Sequence, residues 1–237
     1  MMGVQTINEA ANERKLIGLG LNNAFSSPPL YDLLLLQFNN SLINKYYFCK
    51  YYNVTMDEVA PFSPYINNVF NRMIDMTGYQ HIHSTRPNTI GTALESSPVG
   101  ILAWIYEKYL SWSDTPNNYI IKGNQRIISG QLNWDDILVT NYIYWLTGHI
   151  TSSIMYYAQN IKLSYTQLSQ LYIPDDMPVG IIDWNDNIIK SFKGWYKYTY
   201  HNIIYYNDEL IGGHFPALEY PERYIDNTIQ FMAKLNE

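Results

Sequence analysis

Three short apolar runs stand out against a chain that elsewhere spaces its apolar residues helically. Leu16–Asn22 (LIGLGLN) is entered from charged residues, Pro178–Trp184 (PVGIIDW) follows the turn-like Pro174-Asp175-Asp176, and Asn202–Leu210 (NIIYYNDEL) is the third. Runs of this length, bounded by turn residues, suit buried strands of a parallel sheet, whose two covered faces remove the need for alternation. Between the first and second runs, from about Ser26 to Pro174, the pattern reads as helix and loop. Ser97-Pro98 opens the clearest helix, with serine as N-cap, proline at the first helical position, and Ile101, Leu102, Ile105, Tyr109 and Leu110 on one face. Asn133 caps a second helix over Trp134–Leu146, with Asp135 and Asp136 in its electropositive first turn, and Gly148 separates it from Ser152–Gln159. After the third run comes the turn Gly212-Gly213-His214-Phe215. Glu222–Leu235 is then predicted to be helical, with Tyr224, Ile225, Ile229, Met232 and Leu235 on one face.

This order predicts an α/β protein: part of a parallel sheet with a large, mainly helical lid inserted between its strands. Residues 1–25 would carry an inner strand and flanking helix of the α/β core. Residues 26–174 would form the helical lid, and 175–237 the last two strands and the C-terminal helix. Three parallel strands alone leave an apolar sheet edge unpaired, which is an aggregation liability.

Composition narrows the partners. At 237 residues with a formal net charge of −6, and with no cluster of Lys or Arg, the chain lacks the basic face that nucleic acid requires. The single cysteine, Cys49, excludes an intrachain disulfide, fits a reducing compartment and is expected to serve packing. The longest apolar run, Leu33–Leu36, falls far short of the roughly 20 residues needed to span a bilayer. Glu9, Glu13, Arg14 and Lys15 also interrupt any signal sequence, so this chain expressed as it stands would be cytoplasmic.

A histidine on a glycine turn between a strand and a helix, as at His214, is a common way to hold a catalytic base. No Gly-x-(Ser/Asp)-x-Gly nucleophile elbow accompanies it in the sequence. His81 and His83 alternate like ligands on a strand, but no second cluster stands at metal spacing. They are expected as lid-loop residues near a pocket, with no metal. Trp104, Tyr106, Tyr109, Trp112, Trp134, Tyr142, Tyr144 and Trp145 are expected as helical core, part of it lining an apolar pocket. Glu107, Asp135 and Asp136 read as solvated or capping charges.

Longer motifs add a resemblance. Gly78-Tyr79-Gln80-His81-Ile82-His83-Ser84-Thr85-Arg86-Pro87, then Thr92-Ala93-Leu94-Glu95-Ser96-Ser97-Pro98-Val99-Gly100-Ile101-Leu102-Ala103, resembles the lid of microsomal-type epoxide hydrolases. The insect juvenile hormone epoxide hydrolases belong to this group. Glu107-Lys108-Tyr109, Trp112-Ser113-Asp114, Tyr144-Trp145-Leu146-Thr147-Gly148, Tyr157 and Gly212-Gly213-His214-Phe215 with Glu219-x-Pro221-Glu222 continue the match. It runs from about Asn8 to the C-terminus and corresponds to the second half of the family's proteins.

The resemblance implies the α/β-hydrolase fold and conversion of an apolar epoxide and water to a vicinal diol through a covalent alkyl-enzyme ester, without a cofactor. It implies Tyr79 and Tyr157 as lid acids on the epoxide oxygen and His214 as the base that activates water. An orienting acid is expected on the loop after Pro178–Trp184. Asn187 occupies the aligned position, which leaves Asp186 beside it, or Asp183, to supply the carboxylate. The family's nucleophile would fall just before Met1, so none is expected in this chain. The family also implies a microsomal membrane location, and juvenile hormone esters, fatty-acid epoxides and xenobiotic arene oxides would all suit its apolar tunnel. Two alternatives stand beside this: a catalytically inactive pseudoenzyme that binds lipid epoxides, and an incomplete gene model of an active enzyme.

Overall fold

A computed structural model describes residues 17–22, 24, 26, 30–37, 42–114, 132–160, 173–185, 188 and 191–237. Its sheet has three parallel strands in the order β1 (Leu19–Leu21), β2 (Val179–Trp184) and β3 (Ile203–Glu209). Leu19 pairs with Val179 and Leu21 with Ile181 across the first ladder, while Gly180 pairs with Tyr205 and Trp184 with Glu209 across the second. All six residues of β2 are buried, as the unbroken apolar run requires of a central parallel strand. One core, formed by Ala24, Met177, Val179, Ile181, Tyr196 and Tyr200, packs against the strands.

Helices fill the interval between β1 and β2. They are α1 (Leu30–Gln37), α2 (Leu42–Tyr52), the single turn α3 (Met56–Val59), α4 (Asn71–Thr85), α5 (Pro87–Glu95), α6 (Pro98–Trp112), α7 (Trp134–Thr147) and α8 (Ile150–Asn160). Local chemistry sets their ends. The Thr55 hydroxyl accepts the Glu58 amide while Glu58 reaches back to the Thr55 amide, which closes a capping box on α3. Ser97 accepts the Gly100 amide at 3.1 Å to start α6, Asn133 accepts the Asp135 amide at 3.1 Å to start α7, and Gly148 ends α7.

Leu36, Phe48, Cys49, Val59, Phe62, Phe192 and Trp195 form a core joining α1–α3 to the turn at 192–198, and Cys49 is a packing residue within it. A third cluster, Leu94, Ile101, Ile150 and Ile154, locks α5, α6 and α8 together. A fourth, Tyr109, Leu132 and Ile137 with Phe215 against it, ties α6 and α7 to the segment after β3.

The chain closes with the short α9 (Pro216–Glu219) and α10 (Pro221–Lys234). Here the expected apolar face is turned. Phe231 and Asn227 are the buried residues of α10, with Phe231 seated against the backbone at Gly20 and Gly180, whereas Ile225, Ile229 and Met232 are more than half exposed. Glycines at facing positions of two adjacent strands leave a trough that fits one aromatic ring, and that trough sets the rotation of the helix. A second correction concerns His81 and His83. They lie in α4 and not in a lid loop, and residues two apart on a helix diverge, so His81 is exposed and His83 buried.

Candidate active site

Two helices present stripes at four-residue spacing to one cavity of about 690 Å³. From α4 come Tyr79 and His83, from α6 Trp104, Lys108 and Trp112, from α8 Tyr156 and Tyr157, and from the segment after β3 Phe215. Residues four apart stack along one helix face, so each stripe forms a continuous wall. The walls are mostly aromatic. The Tyr79 and Tyr157 rings meet edge to face with centroids 5.6 Å apart. Burial, and then the hydrogen bond with Tyr157, push the Tyr79 phenol well above its usual range.

His83 wedges against both tyrosines, its ring centroid 5.3 Å from that of Tyr79 and 5.0 Å from that of Tyr157. The Trp104 indole N–H donates to His83 Nε2 at 3.2 Å, which places the proton of the neutral imidazole on Nδ1. Burial, with the nearby Lys108 charge, lowers its pKa to about 4, so the ring is neutral at physiological pH. His83 Nδ1 and Trp112 Nε1 are both buried and meet no hydrogen-bond partner among the described residues.

His214 enters from the other side, on a turn that its own backbone chemistry explains. Gly212 has φ +100°, a conformation that favours glycine, and a Cβ on Gly213 would lie 2.5 Å from the Trp112 carbonyl oxygen. Two carboxylates brace the turn. Asp114 accepts the Gly212 amide at 2.7 Å, and the buried Glu219 accepts the amides of Asp114 at 2.7 Å, Gly213 at 3.1 Å and Phe215 at 2.9 Å. The His214 amide itself donates to the Trp112 carbonyl at 2.7 Å. The imidazole packs on the Trp112 ring at 5.1 Å, and the same indole meets Tyr79 at 5.2 Å, so Trp112 is the wall shared by the histidine and the tyrosine pair. Burial lowers the His214 pKa to about 4, leaving it in the form that accepts a proton.

Asp183, one candidate for the orienting acid, is buried on β2, and its carboxylate accepts the Tyr196 hydroxyl at 2.7 and 2.9 Å and the Tyr206 hydroxyl at 3.2 Å. Those phenols are pushed upward by burial and by the Asp183 charge. Asp186 and Asn187 lie outside the described residues. No cluster of three or more His, Cys, Asp or Glu residues suited to a metal occurs among the described residues, and no helix there is long and apolar enough to cross a membrane.

Comparison with known proteins gives this geometry a lineage. Epoxide hydrolase 1 of Sus scrofa is 32% identical over 168 residues, which take in 71% of this chain and 36% of that protein. Juvenile hormone epoxide hydrolase of Manduca sexta is 28% identical over 231 residues, 92% of this chain and 45% of its own length. This chain belongs to the epoxide hydrolases. No family model matches it. The chain spans a little over a third of the length of the first curated relatives it matches. The crystal structure of juvenile hormone epoxide hydrolase from the silkworm Bombyx mori superposes with a TM-score of 0.79 at 22% identity, covering 99% of this chain and 52% of that one. The fold is accordingly a partial α/β-hydrolase fold with a mainly helical lid.

Sequence reasoning singled out Tyr79, Tyr157 and His214; the two tyrosines line one cavity, and His214 packs on the Trp112 ring that forms part of its wall. It placed His83 and Trp104 near an apolar pocket, as the structure does, but missed the part played by Lys108. The four-residue spacing of Trp104, Lys108 and Trp112, and of Tyr79 and His83, carried that information.

Proposed function

We propose that this chain carries the proton-transfer half of an epoxide hydrolase that converts apolar epoxides to vicinal diols. One observation carries the reading: the Tyr79 and Tyr157 rings, 5.6 Å apart, sit in an aromatic cavity whose Trp112 wall also holds His214. A carboxylate supplied from outside this chain attacks one epoxide carbon, the carbon–oxygen bond breaks, and the departing oxygen takes a proton from the tyrosine pair. His214 then removes a proton from water, the resulting hydroxide attacks the ester carbonyl, and the diol leaves as the carboxylate reforms. The proton on His214 returns to the tyrosinate, which closes the cycle. Asp186 is the orienting carboxylate in this scheme, with Asn187 at the aligned position; Asp183 is the alternative and would have to leave its tyrosine partners.

The test mixes purified chain with an apolar terminal epoxide such as styrene oxide and follows indole fluorescence, since Trp104 and Trp112 line the cavity. Saturable quenching is expected, weakened about tenfold in the Tyr79→Phe/Tyr157→Phe variant, the loss of one or two hydrogen bonds to the ligand. Intact mass should show no substrate-sized increase. Binding that ignores both tyrosines would overturn the site, and a covalent adduct would place the nucleophile within this chain.

A further inference from the structure

Charge inside the cavity points beyond the residues already assigned. The Lys108 ammonium lies over the Tyr79 ring at 4.9 Å from its centroid, with the Trp112 and Trp104 rings at 5.4 and 5.6 Å. Its side chain is mostly buried and pairs with Glu107, whose own carboxylate is half exposed and also accepts the Ser111 hydroxyl at 3.0 Å. Lys108 is the one lysine or arginine among the residues that line the cavity. The other titratable groups facing Tyr79 are His83 on its own helix and Tyr157 on α8, with His214 reached only across Trp112.

A tyrosine in this setting faces a conflict. Burial and a neighbouring phenol both disfavour tyrosinate, yet a proton donor to a departing oxygen must carry part of that negative charge. A cation held against the π face offsets the conflict, and it acts strongly where water is excluded. Three aromatic rings and the Glu107 carboxylate surround the ammonium of a mostly buried Lys108 side chain, so the charge is held in place before any ligand arrives.

We propose that Lys108 is a positioning residue for proton donation by Tyr79: its ammonium, pinned over the phenol ring, stabilises the negative charge that develops there when the hydroxyl gives up its proton. This rests on the reading of Tyr79 as the acid of an epoxide-opening site. His83 supports the arrangement from the other flank. It stays neutral through burial and the nearby Lys108 charge, so it neither repels the ammonium nor competes with it for the phenolate.

The experiment replaces Tyr79 with a fluorinated tyrosine, whose phenol titrates in an accessible range, and reads its ionisation by fluorine NMR in the otherwise unchanged chain. Lys108→Gln and Lys108→Met should each raise the apparent pKa by about one unit, a tenfold change in the ionisation constant. Lys108→Arg should restore most of the shift, and Glu107→Gln, which frees the ammonium of its counter-charge, should move it the opposite way. A merely structural role would leave these signs uncorrelated with charge. Unchanged ionisation in a folded Lys108→Gln or Lys108→Met chain, or an equal upward shift in the Arg variant, would overturn the proposal. Epoxide binding by Tyr79→Phe separates the two ideas: normal binding there, with ionisation still governed by Lys108, removes the assigned function and leaves the electrostatic coupling standing.

Discussion

His83 and His214 are both held down to about 4 from an ordinary value of 6.5, each chiefly by burial. For both, the folded pKa lies below the unfolded one, so between those values the unfolded chain binds more protons than the folded one. Their contribution is complete above about pH 6.5, is lost as pH falls toward 4, and changes no further below that. Glu219 works in the other direction. Burial raises its carboxyl above the usual 4.5, so the folded chain takes up that proton first and recovers some stability over the acid end of the same window. Urea unfolding followed from about pH 7 to 5 should therefore show stability falling with a slope approaching about two protons, and His83→Gln and His214→Gln should each remove about one. A double variant with an undiminished slope would show that other groups govern acid sensitivity. The same titration bears on the proposed mechanism, which requires the base form of His214.

Among the elements, the turn from Gly212 to Phe215 is the most over-determined. Four backbone amides around it, those of Gly212, Gly213, Phe215 and Asp114, end on two carboxylates, and His214 is anchored separately on the Trp112 carbonyl. Glu219→Gln turns one acceptor oxygen into a donor facing an amide and should cost about 1–3 kcal/mol. Gly213→Ala drives a methyl into the backbone of residues 112–114 and should cost a similar ~1–3 kcal/mol, with the His214 imidazole NMR signals shifting as the turn moves off α6. Equal stability to wild type in either variant would mean that the turn is not held as described. The sequence-level signals for elements were strong where the chemistry is local: the Ser97 and Asn133 caps and the apolar run of β2 each declare themselves within four to six residues. They failed where tertiary packing decides. His81 and His83 read as lid-loop residues, yet a single glycine such as Gly78 is tolerated within a helix, and α4 runs to Thr85 before Pro87 opens α5. The family's motifs pointed to Tyr79 and Tyr157, which share one cavity, whereas the Lys108 contact with Tyr79 depends on how α4 and α6 are set against each other.

For the molecule as a whole, α10 carries two apolar stripes, and only one of them is used. Tyr224, Phe231 and Leu235 face a groove of about 450 Å³ against β1 and β2, with Gly20 and Gly180 beneath. Ile225 and Ile229 run along the outside and Met232 borders the groove, each of the three more than half exposed. Sequence periodicity could not rank the stripes, because the trough that selects Phe231 is made by glycines far away in the chain. Beside this helix, β1 pairs with β2 in the sheet. Full burial of an Ile or Met side chain is worth about 1.5–3 kcal/mol, so three such residues along one exposed stripe supply a strong drive toward association. The purified chain should show concentration-dependent association by sedimentation velocity at micromolar loading. Replacing Ile225, Ile229 and Met232 together with Lys, Glu and Gln should shift it toward monomer while leaving the melting transition in place, since none of the three sits in the core. A wild-type chain that stays monomeric across that range would show that this stripe, though apolar, is too discontinuous to drive self-contact.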